Sequence, residues 1–431
     1  MEKLIAKRAK KVVALIGITV LCFSLGGCSS LVKLVASNLK EESVVVNDDT
    51  NDVPEIKEEE NKSSEEISEE ISVEYEWKDY DVELSEDIMD FEIAIDGEVY
   101  KFPMWFKDFE EKGWEFKDDR TIELSSYDYE VCMEWERNGV RAETDIYNLS
   151  LNNATLENSL VTELVINYYD LQDLKVSVEF PCDIIVGKST KEDIINAYGE
   201  PDDIIDRLDE EQLCYDGPEY DQTHNFLVNK ETGIFTNFIL ENVSEVEGLN
   251  NEVSAEVPED VANYIPPTEL SDSLNDVTFK LDEVVYELPC PTAYFLENGF
   301  TIAEDYENEV VPAGSIATIY FRYDNKEISA MVRNTTGKAT TPEHCWVIEF
   351  YAFSTWTELN LNMILPEGLV VGMTEEEVLA ILDGKYNYEP VTKDGHDYFI
   401  YEDMDTRYDK NIIAYFVDGV LKGFWFNTDK E

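Results

Sequence analysis

The chain has 431 residues, 43% of them hydrophobic and 12% aromatic, so roughly two or three ordinary domains with sizeable cores can form. Its 95 acids against 33 Lys and Arg give a formal charge of −62 at pH 7. A field of that sign repels nucleic acid and anionic headgroups, which excludes nucleic-acid binding and favours cationic partners or loosely held divalent ions; its plainest consequence is solubility outside a cell.

At the N-terminus, Lys3, Lys7, Arg8, Lys10 and Lys11 precede an apolar run over residues 12–25. A basic stretch, a short apolar stretch and small residues before a cut describe a secretory signal, and the run is too short to span a bilayer comfortably. Leu25-Gly26-Gly27-Cys28 resembles the lipobox of bacterial lipoproteins. The resemblance implies cleavage after residue 27, acylation of the Cys28 thiol and a cell membrane location on the extracytoplasmic face. Residues 28–84 read as an acidic tether: from Glu41 to Glu76 there are 15 acids and two lysines. Such a segment cannot bury enough apolar surface to offset its ordering entropy, and about 50 flexible residues reach on the order of 40 Å.

An internal repeat organises the rest of the chain. Phe91-Glu-Ile-Ala-Ile-Asp-Gly-Glu-Val-Tyr-Lys-Phe-Pro103 matches Val277-Thr-Phe-Lys-Leu-Asp-Glu-Val-Val-Tyr-Glu-Leu-Pro289 at an offset of 186. The offset recurs at Gly113 and Gly299, at Glu163 and Glu349, and at Gly233 and Gly419. It predicts two copies of one domain, 85–243 and 270–431, joined by an acidic, proline-bearing linker over 244–269. Within a copy, the alternation around Asp96-Gly97 predicts two short strands, and Pro103 to Gly113 a short helix. Strands are expected around 129–136, 140–148 and 160–168. A capping box, Ser189 with Glu192, then opens a helix carrying Ile194, Ile195 and Tyr198 that stops at Gly199-Glu-Pro201; Thr374 with Glu377 opens its counterpart at an offset of 185. Strands around 212–215, 226–228 and 234–240 complete the unit, the last two as a hairpin. The class is α+β, with short helices on antiparallel sheets.

Val186-Gly187-Lys-Ser189-Thr-Lys-Glu-Asp-Ile194-Ile195-Asn-Ala-Tyr-Gly199-Glu-Pro201 resembles the helix opening of the module shared by β-lactamase inhibitor proteins and the small lipoproteins of outer-membrane assembly. With the Ile95 to Pro103 and Gly113-Trp114 elements, each copy is similar to domains of uncharacterised surface lipoproteins of Gram-positive bacteria. The resemblance implies a fold and a binding or assembly role, and carries no catalytic residue over. The second copy departs from it after Leu382, where Asp-Gly-Lys-Tyr-Asn replaces the Gly-Glu-Pro stop.

Chemistry-bearing motifs are sparse. Gly187-Lys188-Ser189 lacks the earlier glycine of a phosphate loop, having Cys182 there. His224, His344 and His396 show no zinc spacing. The 403–409 segment lacks the glycine and the final acid of a calcium loop. Exposed Trp135 or Trp356 would suit sugar stacking, although such residues more often fill cores. Cys290 and Cys345 map to Met104 and Ser159, so both cysteines are present in one copy and absent from the other. That joint occurrence predicts a disulfide, which an exported chain can keep; Cys132, Cys182 and Cys214 cannot pair completely. The expectation is therefore a non-enzymatic, membrane-anchored binding protein with no metal or cofactor and a protein, cell-wall or glycan ligand. An inhibitor of a secreted hydrolase is the alternative, and a carbohydrate-active enzyme a weaker one.

Overall fold

A computed structural model describes residues 80–166, 168–219, 221–353, 361–391, 397–401 and 410–428. Cys28, His396, Trp356, the 403–409 segment and the tether up to residue 79 lie outside the described residues.

The first half contains β1 (Glu92–Ile95), β2 (Glu98–Lys101), β3 (Met104–Trp105), β4 (Glu115–Phe116), β5 (Glu123–Leu124), β6 (Tyr129–Arg137), β7 (Val140–Tyr147), β8 (Ala154–Thr155), β9 (Leu160–Val161), β10 (Glu163–Ile166), β11 (Val178–Phe180), β12 (Ile184–Ile185), β13 (Asp203–Asp206), β14 (Glu210–Asp216), β15 (Gln222–Asn229) and β16 (Phe235–Asn242). Helices α1 (Phe106–Glu111), α2 (Tyr168–Leu174) and α3 (Lys191–Tyr198) lie between them. The large sheet runs β13-β14-β15-β16-β10-β7-β6-β4, with β9 pairing β7 and β3; the small one runs β12-β11-β1-β2, and β5 pairs β8.

After α4 (Glu259–Ala262), the second half contains β17 (Thr278–Leu281), β18 (Val284–Glu287), β19 (Cys290–Pro291), β20 (Thr301–Ile302), β21 (Ile316–Tyr323), β22 (Lys326–Arg333), β23 (Trp346–Tyr351), β24 (Met363–Ile364), β25 (Asn387–Pro390), β26 (Tyr398–Tyr401), β27 (Lys410–Val417) and β28 (Val420–Thr428), with α5 (Thr292–Glu297) and α6 (Glu375–Leu382). Its large sheet runs β20-β21-β22-β23-β28-β27-β26-β25 and its small one β18-β17-β24. Taken from its far end, the second large sheet has the strand order of the first, β25 standing for β13 and β20 for β4.

The pattern of residues explains these elements. In β7, Val140, Ala142, Thr144 and Ile146 point inward and are buried, while the residues between them face outward. Asp96 and Gly97 take positive φ (52° and 80°), as the tight turn between β1 and β2 requires. Under α1 the rings of Phe106, Phe109, Trp114, Phe116 and Trp135 stack or meet edge-on at 4.7–5.2 Å. Each such pair adds about 0.5–1.5 kcal/mol beyond the area it buries. Trp135 is 1% exposed and donates from Nε1 to Thr144 Oγ1 at 2.8 Å, so it is a core residue and not a sugar platform. A second apolar core, from Leu274 to Phe426, belongs to the second half.

One loop in each half is built around an asparagine. Asn148 Nδ2 donates to the carbonyls of Leu124, Ser125 and Asn152, and Ser150 Oγ donates to Asn148 Oδ1. Asn334 Nδ2 likewise donates to the carbonyls of Val311, Pro312 and Lys338, with Thr336 Oγ1 donating to Asn334 Oδ1. Both asparagines are buried, and each ties three backbone carbonyls of its loop together through one side-chain amide.

Three expectations need correction. The 244–269 segment is not a bare linker: Asn250 and Glu252 receive hydrogen bonds from Asn152, Ser254 pairs with Thr340, and Asp260 accepts from Trp346 Nε1 at 2.8 Å. Both cores thereby belong to one compact unit. The strand expected up to residue 168 ends at Ile166, and α2 follows. The cap of α3 is Thr190 with Asp193, one residue later than Ser189 with Glu192. Ser189 is 6% exposed and its Oγ accepts from Ile185 N at 2.9 Å, closing the preceding turn, while Thr190 is the last extended residue and bridges Ile234. In α6 Thr374 Oγ1 accepts from Glu377 N while a Glu377 carboxylate oxygen accepts from Thr374 N. The two caps therefore stand 184 residues apart, not 185.

Candidate functional site

Cys290 and Cys345 are both free thiols, so the expected bridge is not formed. The register gives the reason: Cys290 on β19 lies opposite Val347, two residues beyond Cys345, and Cys345 Sγ turns instead to the carbonyl of Thr341 at 3.6 Å. Both are wholly buried, and burial pushes the Cys345 thiol up to about 12 and Cys290 well above its usual range. Cys182 and Cys214 are free as well, with Cys182 exposed.

Each of the two described histidines is held by its own local partners. His224 is 1% exposed, stacks on Phe91 at 4.6 Å and shares a 2.8 Å hydrogen bond between its Nε2 and the carbonyl of Ile88. Since a carbonyl only accepts, Nε2 carries the proton, and Nδ1 is buried without a partner. Burial lowers this imidazole to about 4, the Ile88 bond opposing. His344 bonds Thr340 Oγ1 at 3.0 Å, far along the chain from His224. Gly187 N donates to Phe235 O at 2.7 Å, so that turn is closed on the sheet and does not cradle an anion.

The densest chemistry is a row of carboxylates on the outer face of the first large sheet. Glu163 on β10 lies directly opposite Glu241 on β16, and β7 brings up Asp145 and Glu143 on the other side, Glu143 facing Val165. Asp145 Oδ1 accepts from Cys132 N at 2.9 Å, where a bulge in β6 turns that amide outward. Burial, then Asp145, Glu241 and Glu143, raise Glu163 well above the usual carboxylate range. Burial and its acidic neighbours raise Glu241; burial raises Asp145 against the Cys132 bond. Among the described residues no ion pair neutralises these three. Like charges on adjacent strands cannot all ionise, so the row holds protons where an exposed carboxylate would not. The side chains stand in a line, and no group of three or more His, Cys, Asp or Glu among the described residues is arranged to hold a metal ion.

The matching face of the second half is different. Met331, Glu349 and Asn427 stand side by side on β22, β23 and β28. Glu349 accepts from Tyr351 OH at 2.6 Å and from Trp425 Nε1 at 3.1 Å, and the Tyr351 and Trp425 rings stack at 5.0 Å. Sequence reasoning paired Glu163 with Glu349 but missed both rows, because a row exists only once the strand order is known. An open cleft of about 680 Å³ near α1 is lined by Lys107, Glu110, Trp114 and Arg120, and Arg120 is already engaged by Glu110. Among the described residues no helix is long and apolar enough to cross a membrane. No protein-family model matches the chain, and neither does any curated protein or solved structure.

Proposed function

We propose that the chain is an extracytoplasmic lipoprotein, anchored through Cys28, that acts by binding and not by catalysis. The observation that carries the reading is the N-terminal sequence: five basic residues, the apolar run and Leu25-Gly26-Gly27-Cys28. The strong negative charge fits a surface exposed to solvent and cationic partners. Two large sheets with half-buried outer faces supply extended binding area, one acidic and one aromatic. The two halves are, on this reading, copies of one module. The common strand order, the Thr190 and Thr374 capping boxes and the Asn148 and Asn334 loops support that descent.

Metabolic labelling with a clickable fatty acid should mark the protein, and Cys28→Ala should remove the label and release the chain from membranes. A label that survives the substitution refutes the anchor. Capture from intact native cells with the purified chain should recover a partner; a turnover of polysaccharide or peptide by the purified chain would instead show an enzyme.

A further inference from the structure

β13 is the edge of the first large sheet, pairing only with β14 among the described residues. Arg207 N donates to Glu210 O at 3.0 Å, one step beyond the ladder in which Asp206 faces Glu211 and Ile205 faces Gln212. Antiparallel bonds alternate, so the backbones of Asp203 and Ile205 face β14 while those of Ile204 and Asp206 face outward. All four residues of β13 are exposed, Ile204 by 44% and Ile205 by 42%, on opposite faces of the strand; Leu208 beyond them is 91% exposed. Edges of this kind are templates for a further strand unless they are blunted.

The other half shows the same edge blunted. There β25 pairs with β26, and Val391 N donates to Asp397 O at 2.9 Å. By the same alternation Tyr388 and Pro390 face outward. Pro390 stands where Asp206 stands in β13, and a proline has no N–H to offer. Tyr388 and Glu389, in the places of Ile204 and Ile205, are half-buried.

We infer that β13 is a docking edge for an extended segment of a partner protein, in which two basic residues flank two apolar ones. Charge selects that occupant. Asp202, Asp203, Asp206, Asp209, Glu210 and Glu211 outnumber the bases Arg207, Lys191 and Lys230 at this edge, where Lys230 pairs with Asp206 at 2.5 Å and Lys191 with Glu211 at 2.8 Å. A second copy of this chain is disfavoured, because only Ile204 and Asp206 face outward, so antiparallel self-pairing in that phase sets Ile204 against Asp206, or Asp206 against Asp202 or another Asp206. A basic strand meets the aspartates, covers both isoleucines and takes the outward N–H and C=O groups, the mode by which added strands are recognised. It must displace one local bond, in which Ile204 N donates to Asp203 Oδ1 at 2.8 Å.

The inference rests on the reading of the chain as a binding protein and deepens it. The probe is a fluorescent peptide with a Lys-Val-Val-Lys core, titrated against the full chain in detergent and followed by anisotropy. Saturable binding is expected, weakened at least tenfold by Asp206→Pro, which copies the second half without touching a β14 bond. Methylating the peptide amides that face the edge should abolish binding, while methylating the alternate amides should not. A Glu-Val-Val-Glu peptide should fail to bind. Absence of binding by the basic peptide, equal binding of the acidic one, or indifference to the phase of methylation overturns the inference. The methylation arms decide the matter should Asp206→Pro unfold the sheet. A partner captured from cells equally well by the Asp206→Pro chain overturns the edge as its site and leaves the binding function standing.

Discussion

His224 is neutral because its ring lies among Phe91, Phe180 and Phe226 with one hydrogen bond to hold it. Its folded value, about 4, is below the ordinary 6.5, so the unfolded chain binds the extra proton first. Its contribution is therefore complete above pH 6.5 and is lost as pH falls towards 4, by about 3 kcal/mol across the window. His224→Phe should flatten the stability curve between those values, at a constant cost of about 1 kcal/mol for one of the two hydrogen bonds that the Ile88 carbonyl accepts, the other coming from Phe91 N. Urea midpoints measured across this pH range check it; an unchanged slope refutes it. Glu163 behaves in the opposite sense. Its folded value is raised, so its stability is full below the usual carboxylate range and is lost as pH climbs. Glu163→Gln should raise the urea midpoint near neutral pH and leave it unchanged near pH 4. The thiols differ in access. Native alkylation should reach Cys182 first, whereas Cys290 and Cys345 should react only on unfolding and without any reductant. Finding the last two oxidised to each other by mass would restore the bridge.

At the scale of elements, the α3 cap is the sharpest test of register. Thr190→Ala should cost about 1 kcal/mol of stability, the usual worth of a lost side-chain cap. Asp193→Ala should lower the melting temperature and Glu192→Ala should not; the reverse order would put the cap back at Ser189. The misreading has a physical source. Ser189-x-x-Glu192 and Thr190-x-x-Asp193 both satisfy the capping pattern, and only the turn closed by Ser189 Oγ and Ile185 N decides between them. Hairpins were legible where alternation meets a turn signal, as at Asp96-Gly97 and between β15 and β16, because local chemistry alone fixes them. α2 was not legible, since Tyr168 and Tyr169 favour strands and the helix is one that context imposes. The carboxylate row and the β13 edge were equally hidden. Each depends on which strands become neighbours, and β10 meets β16 across some 70 residues of chain. The paired cysteines misled for the same reason: their spacing in the sequence carries no information on the β19 and β23 register that holds them two residues out of step.

Across the whole molecule, the question is what makes two separate cores behave as one body. Among the described residues, several hydrogen bonds link the halves. Leu151 O accepts from Ala313 N at 2.9 Å and Asn153 N donates to Gly337 O at 3.0 Å. Between them Asn152, 4% exposed, serves three segments at once: its Oδ1 accepts from Ala339 N at 2.8 Å, and its Nδ2 donates to the carbonyls of Asn250 and Glu252. Removing that one side chain leaves the buried Ala339 amide without its partner, at about 1–3 kcal/mol, while the carbonyls of the exposed Asn250 and Glu252 turn to water. Neither core loses a contact, because Asn152 belongs to neither apolar cluster. The cost therefore falls on the coupling between the halves and not on their own stabilities. In calorimetry Asn152→Ala should split one unfolding transition into two, and limited proteolysis should then cut within 244–269, which the native contacts protect. A single transition with a uniformly lowered midpoint would mean that the halves are joined by something broader than this asparagine and the backbone bonds beside it.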